Sequence, residues 1–201
     1  MNDSNLKRHT YNNDILEIYS KSRDNFEFED FILGIIVSDK NNYILVETLD
    51  DSGLLDSYTL LLKSDISKIS AYTNYTKVFT NYVNNNIKNN IYDPFNLKEE
   101  MKSIWNMKID DIIQNFLSHG KVVSLCTNID EEFHKGNVIA YDNSYIVLDE
   151  RRYQKTFGGE VQEKNNLIRL DTITAFDLES KENKLYEQYL NKDIWYKCVF
   201  V

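Results

Sequence analysis

The sequence predicts a β-rich α+β protein built from two tandem small barrels of about five strands, each with an accompanying amphipathic helix. Three observations carry that expectation. A strand–turn–strand pattern occurs twice, in residues 31–46 (FILGIIVSDKNNYILV) and 133–148 (FHKGNVIAYDNSYIVL), with Gly34 recurring as Gly136 and Tyr43 as Tyr145 at one offset of 102 positions. Each copy is followed by apolar residues at helical spacing. An Asn-rich polar stretch, 84–90, lies between the copies and divides a first unit, 1–90, from a second, 91–201, which begins with a linker helix.

In chain order, 15–19 reads as the opening strand of the first unit. An apolar strand then leaves Gly34, a polar turn follows at 39–42, and Tyr43 leads the return strand, which makes a hairpin. Ser52-Gly53 marks the tip of the next one. Residues 60–69 supply further strands and have their counterpart in 167–176, where Asp65 recurs as Asp171 at an offset of 106. The second copy therefore has a longer connecting hairpin, with Gly158-Gly159 at its expected tip. Tyr75, Val78, Phe79, Tyr82 and Val83 fall at i, i+3, i+4, i+7 and i+8 and read as one helical face. Asp93-Pro94 or Asn96 opens the linker helix, with Glu99 completing a capping box. Its apolar stripe runs continuously from Leu97 through Met101, Ile104, Trp105, Ile109, Ile112, Ile113 and Phe116 to Leu117, and Gly120 stops it. Residues 121–126 open the second unit, and Leu185, Tyr186, Tyr189 and Leu190 form its closing helix face. The tail 193–201 is apolar enough to add a strand to a sheet or dock in a groove.

The run from Gly136 to Asp142, followed by the apolar return strand 145–148, resembles the first half of the Sm-like signature. There, a Gly in a curved strand precedes an Asp at the hairpin. SH3-like barrels share much of this pattern. In the first copy Asp39 stands one place early, and the resemblance covers only the hairpin of each copy. It implies Sm-like or SH3-like barrels and, for an Sm-like protein, ring formation and RNA binding. Sm-like proteins pair the hairpin Asp or Asn with a basic residue and a Gly in the last loop. This chain instead has Lys63-Ser64-Asp65 and Arg169-Leu170-Asp171, without the Gly and with an acid where a phosphate approaches. A regulatory RNA-binding protein is thus the alternative reading; it needs a cationic patch around Lys63, Lys68, Arg151, Arg152 or Arg169.

A formal charge of -9 repels phosphate backbones and anionic lipid heads and favours a basic protein partner. Nucleic acid and membrane are not expected as partners, and no segment reaches the ~20 apolar residues of a span. The N-terminal residues lack the apolar run of a signal peptide, and Cys126 and Cys198 read as reduced, buried thiols, so a cytoplasmic location is expected.

No cofactor, metal or catalytic group is expected. His9, His119 and His134 match no metal spacing. Cys126 and His134 lie on adjacent strands, but Cys126 follows Val122, Val123 and Leu125 and reads as core. Asp50, Asp51 and Asp56 crowd one loop without the order of an EF-hand, and Asp130-Glu131-Glu132 reads as a solvated turn. An enzyme with a pocket between the units would have no nucleophile or base that the sequence names.

Tyrosines exceed what two small cores take up: Tyr72, Tyr75, Tyr82, Tyr92, Tyr153, Tyr186 and Tyr196 are all candidates for exposure. Tyrosine suits interfaces because it offers area with few rotors and a polar tip. The expected function is a non-enzymatic interaction protein, of the immunity or antagonist kind, that covers a basic protein. Tyr72, Tyr75, Asp50, Asp51, Asp56 and Tyr153 are its partner-binding candidates. The sequence leaves the oligomeric state open.

Overall fold

The computed structural model describes residues 13–25, 31–40, 42–157 and 166–196. The strands are β1 (Ile15–Ser20), β2 (Ile32–Lys40), β3 (Tyr43–Leu49), β4 (Leu55–Leu62), β5 (Ile66–Ala71), β6 (Val122–Thr127), β7 (Phe133–Tyr141), β8 (Tyr145–Asp149), β9 (Asn166–Arg169) and β10 (Ile173–Ser180). The helices are α1 (Lys21–Asn25), α2 (Asn74–Lys88), α3 (Leu97–Lys102), α4 (Ile109–His119), α5 (Arg151–Phe157) and α6 (Lys181–Tyr196). The fold is α+β and β-rich. Its ten strands form one antiparallel sheet in the order β5-β1-β2-β3-β4-β10-β6-β7-β8-β9.

The repeat is visible in the sheet. The order fifth-first-second-third-fourth in the first five strands recurs unchanged, head to tail, in the last five, β10-β6-β7-β8-β9. β2 shifts register between Ile36 and Ser38, and β7 does so between Val138 and Ala140, the same place in the repeat. Gly34 and Gly136 sit just before these bulges. A Cβ on Gly34 would lie 2.5 Å from the Glu47 carbonyl oxygen, and one on Gly136 would lie 2.5 Å from the Asp149 carbonyl oxygen. Both glycines permit the same close strand crossing, which bends the sheet.

Two separate closed barrels are not what forms. Among the described residues β4 does not pair with β5, nor β9 with β10. Instead β4 pairs with β10, from Ala175 opposite Leu61 to Ser180 opposite Ser57, so each half covers an edge of the other. The largest core cluster crosses this junction as well, joining Leu45, Leu55, Tyr58 and Leu60 of the first half to Val123, Leu125, Val138 and Phe176 of the second. A second cluster (Leu16, Ile18, Ile36, Ile44, Val46, Leu61 and Ile66) lies within the first half.

The connecting elements depart from the sequence pattern in four places. The Asn-rich stretch is not a free linker, because α2 runs on through Lys88 and stops at Asn89 and Asn90, the latter at φ 56°. The stripe 97–117 is divided between α3 and α4 by a turn in which Trp105 packs edge-on against Tyr58, although Leu97, Met101, Ile104, Ile112, Ile113 and Phe116 all reach the core. Asp93, not Asn96, caps α3, since its carboxylate accepts from the amides of Leu97 (2.8 Å) and Lys98 (2.9 Å). Finally, β8 is followed by the helix α5; Gly158-Gly159 lies outside the described residues, as do Lys7, Arg8, His9 and the tail 197–201. Gly120 does end α4, at φ 60°, with the Lys121 amide returning to Phe116.

α6 is bound to both halves. Asn183 accepts from Ser124 at 2.6 Å, Glu187 accepts from the Val122 amide at 3.0 Å, and Lys181 reaches Asp50 at 2.8 Å. Its inward face is Asn183 and Tyr186, whereas Leu185 and Tyr189 face outward. Among the described residues no helix is long and apolar enough to cross a membrane.

Candidate functional site

The first half carries an exposed aromatic face on α2. Thr73 opens this helix: its backbone is extended, and its hydroxyl accepts from the Thr76 amide at 3.1 Å while donating to the buried Glu17 of β1. The cap thus also holds the helix to the sheet. Thr73→Ala is expected to lower stability by about 1–2 kcal/mol, read as a shift of the urea-unfolding midpoint, with Thr73→Ser much milder.

Only part of the apolar helix face is buried. Phe79 and Val83 pack with Ile15, Leu33 and Leu49, while Tyr75, Val78 and Tyr82 remain 45%, 48% and 47% exposed. Tyr75 stacks on Phe79, and Phe79 meets Tyr82 edge-on, so the outer rings stand on buried ones and have little freedom. Tyr72 is 57% exposed on the other flank of α2, by Thr76, Thr80 and Ile87, held at φ 59° with its hydroxyl donating to Asp14 at 2.8 Å. A left-handed backbone on a bulky residue is strained, and such strain concentrates where a side chain must be presented.

The β3–β4 turn borders this face. Asn86 of α2 donates to the carbonyls of Ser52 (2.9 Å) and Gly53 (3.0 Å), and Gly53 approaches Tyr82 so closely that a Cβ would lie 2.8 Å from the tyrosine Cβ. The structure thereby sets the turn that carries Asp50 and Asp51 against the Tyr82 end of α2, on the flank away from Tyr72. Within the turn, Asp51 is exposed. Asp50 shapes the turn by accepting from the Ser52 and Leu54 amides, and it pairs with Lys181. Partial burial opposes its charge, but Lys181 and those amides outweigh it and hold the carboxyl below the ordinary range. Asp56 shares Lys181, at 3.1 Å.

Tyr153 lies in the other half. Its ring meets the buried Tyr186 edge-on and covers the ammonium of Lys135 at 5.2 Å. Lys135 is itself enclosed, 2.6 Å from Glu182 but out of hydrogen-bond alignment with it. Tyr92, counted among the surplus tyrosines, packs between the core clusters and donates to Glu47, as Tyr58 does. Tyr82 is among the tyrosines that the sequence marks for exposure; Val78 is the member of the face that it does not mark. The available signal was that five apolar residues on one short helix span a wider arc than a small core covers.

The groups considered for chemistry are not brought together. Cys126 pairs across the sheet with Phe133, and His134 with Leu125, so their side chains emerge on opposite faces. Burial, with the negative charge of Asp177 adding to it, pushes the Cys126 thiol up to about 12. His134 is clamped between Glu150 (3.2 Å) and Asp130 (3.3 Å); burial opposes its cation, but the two carboxylates outweigh it and raise its pKa. His119 closes α4 against the Asn115 carbonyl. Among the described residues no group of three metal-ligating side chains converges.

The cations that an RNA site would need are engaged. Lys63 pairs with Asp39, Arg151 with Asp149 at 2.8 Å and Arg169 with Asp171 at 2.6 Å, while Lys68 lies over the Tyr19 ring. No protein-family model, curated protein or solved structure matches the chain.

Proposed function

We propose that the chain is a non-enzymatic interaction protein, of the immunity or antagonist kind, that uses the α2 face to cover a basic protein partner. Each half of its sheet is, in this reading, an Sm-like or SH3-like unit, opened and joined to the other through β4 and β10. The observation that carries the reading is the set of three outward side chains, Tyr75, Val78 and Tyr82, two of them packed on the buried Phe79 ring, beside an acidic turn. Preorganised tyrosines lose little entropy on docking, and a contiguous apolar patch on an acidic surface suits a partner whose apolar contacts are ringed by lysine or arginine. The net charge of -9 would steer such a partner in.

The test starts from a partner captured and identified from the source cells and then purified. Tyr75→Ala/Tyr82→Ala is expected to weaken its binding by about tenfold or more, without loss of fold because both rings face solvent. The association rate should also fall steeply as salt is raised. A partner held equally well by the double variant, or an on-rate indifferent to salt, counts against the reading. The RNA-binding alternative has the doubled strand order in its favour and the paired cations against it. Retention of RNA at low salt would revive it.

A further inference from the structure

At the end of the β4–β10 junction opposite the Asp50 turn, the sheet opens into a cavity of about 200 Å³. Its floor is the rim of the second core cluster: Ile18, Leu61, Ile66 and Ala175, with Cys126 in the wall. It opens here because β10 shifts register against β6 between Ile173 and Ala175, which leaves Thr174 at the edge of the space. The mouth is formed by Asp130, Glu131 and Glu132, with Asp65 and Arg23 across from them. Asp65 is engaged by the amide (3.0 Å) and hydroxyl (2.6 Å) of Ser22, and Asp130 by Thr127 and His134. Glu131 and Glu132 are exposed at the entrance, so the mouth is acidic on balance even with the Arg23 guanidinium included.

We propose that this cavity is a binding site for a small amphipathic primary amine, with an aromatic or branched apolar body and a short arm ending in an ammonium group. Size sets the body: apolar protein cavities of about 150 Å³ accept a benzene ring, and this one is slightly larger. Charge sets the head: an ammonium at the mouth meets Glu131 and Glu132, whereas a carboxylate there is repelled by them. The Cys126 thiol stays protonated and serves as a soft apolar wall, not as a nucleophile. The site lies apart from the α2 face and does not depend on it.

The probe is 2-phenylethylamine, titrated into the full chain and followed by amide chemical shifts or calorimetry, with 2-phenylethanol and phenylacetate as neutral and anionic counterparts. The amine is expected to saturate with a dissociation constant of about a millimolar or tighter. It should bind up to about tenfold more tightly than the alcohol, since two solvent-exposed carboxylates face it, and phenylacetate should bind least. Glu131→Gln/Glu132→Gln should bring the amine down to the affinity of the alcohol, and Ala175→Leu, which fills the floor, should abolish binding of both. The Gln variant changes only solvent-facing side chains, so it decides the matter if the Leu variant does not fold. Absence of saturation by the amine at about 10 mM, roughly tenfold above the expected constant, overturns the proposal. So does phenylacetate binding as tightly as the amine, or an unchanged amine affinity in the Gln variant.

Discussion

Gly136→Ala is expected to destabilise the protein by about 3 kcal/mol or more, and Gly34→Ala by a similar but smaller amount. At Gly136 a Cβ meets only backbone: the Asp149 oxygen at 2.5 Å, its carbonyl carbon at 2.7 Å and the Glu150 nitrogen at 3.0 Å. None of these can move without breaking the β7–β8 ladder, where Asn137 faces Asp149 and Val138 faces Leu148. At Gly34 one of the two closest atoms is the Val46 Cγ1, which can change rotamer, but the Glu47 oxygen at 2.5 Å cannot retreat. Gly120→Ala is the control. Its Cβ meets nothing within 4 Å, so only the left-handed φ of 60° is penalised, by about 1 kcal/mol. Urea unfolding of the three variants should rank them Gly136, Gly34, Gly120 in order of loss. A Gly136→Ala protein as stable as the Gly120→Ala control would mean that β7 and β8 do not cross as described.

Between pH 4 and pH 7 the parent protein should lose about 2 to 3 kcal/mol of stability relative to Asp177→Asn. Asp177 is half-buried at the β4–β10 junction, where it accepts from the Thr59 and Ser57 hydroxyls. Burial pushes its carboxyl up to about 6; the hydroxyls and Lys135 resist this, and the neighbouring Asp56 adds to it. Below the ordinary carboxylate value of 3.8 the group is protonated in both the folded and the unfolded chain, and the junction keeps its full stability. As pH rises towards 6 the unfolded chain ionises first, and the folded state bears the cost of a buried charge from there upward. Asparagine cannot ionise, and other titrating groups such as His134 and Glu179 are common to both proteins and cancel in the difference. Unfolding free energies of parent and variant, measured side by side across that range, should diverge as pH rises. Parallel profiles would show that the junction does not raise the Asp177 carboxyl.

The doubled hairpin was legible in the sequence because close crossing needs glycine, and a glycine followed by alternating apolar residues leaves a local imprint at both 34 and 136. The joining of the halves was not. The pairing of Leu60 with Phe176 depends on two strands far apart in the chain, and either strand would read the same in a closed barrel. Local propensity also misjudged 84–90, where Asn86 is useful inside a helix because its amide reaches the carbonyls of a distant turn. At the candidate face, Tyr75 and Tyr82 could be read as surplus aromatic residues. Which edge of the α2 stripe would be buried could not, since Phe79 and Tyr82 satisfy the same periodicity and only Leu33 and Leu49 decide between them. Tyr186, a candidate for exposure, is buried beneath Tyr153, and a buried lysine that draws aromatic cover has no sequence signature.

The strand at the middle of the sheet, β10, is the tenth in order of synthesis. Ribosomes release a chain N-terminus first, so the first five strands emerge while β4 still has an unsatisfied side. The partners that finally meet there, such as Ser57 and Asp177, are 120 positions apart. Loop closure over that distance is slow, and until it occurs the nascent half presents an open ladder to any other strand it encounters. Folding yield in the cell therefore depends on how quickly the central strand arrives.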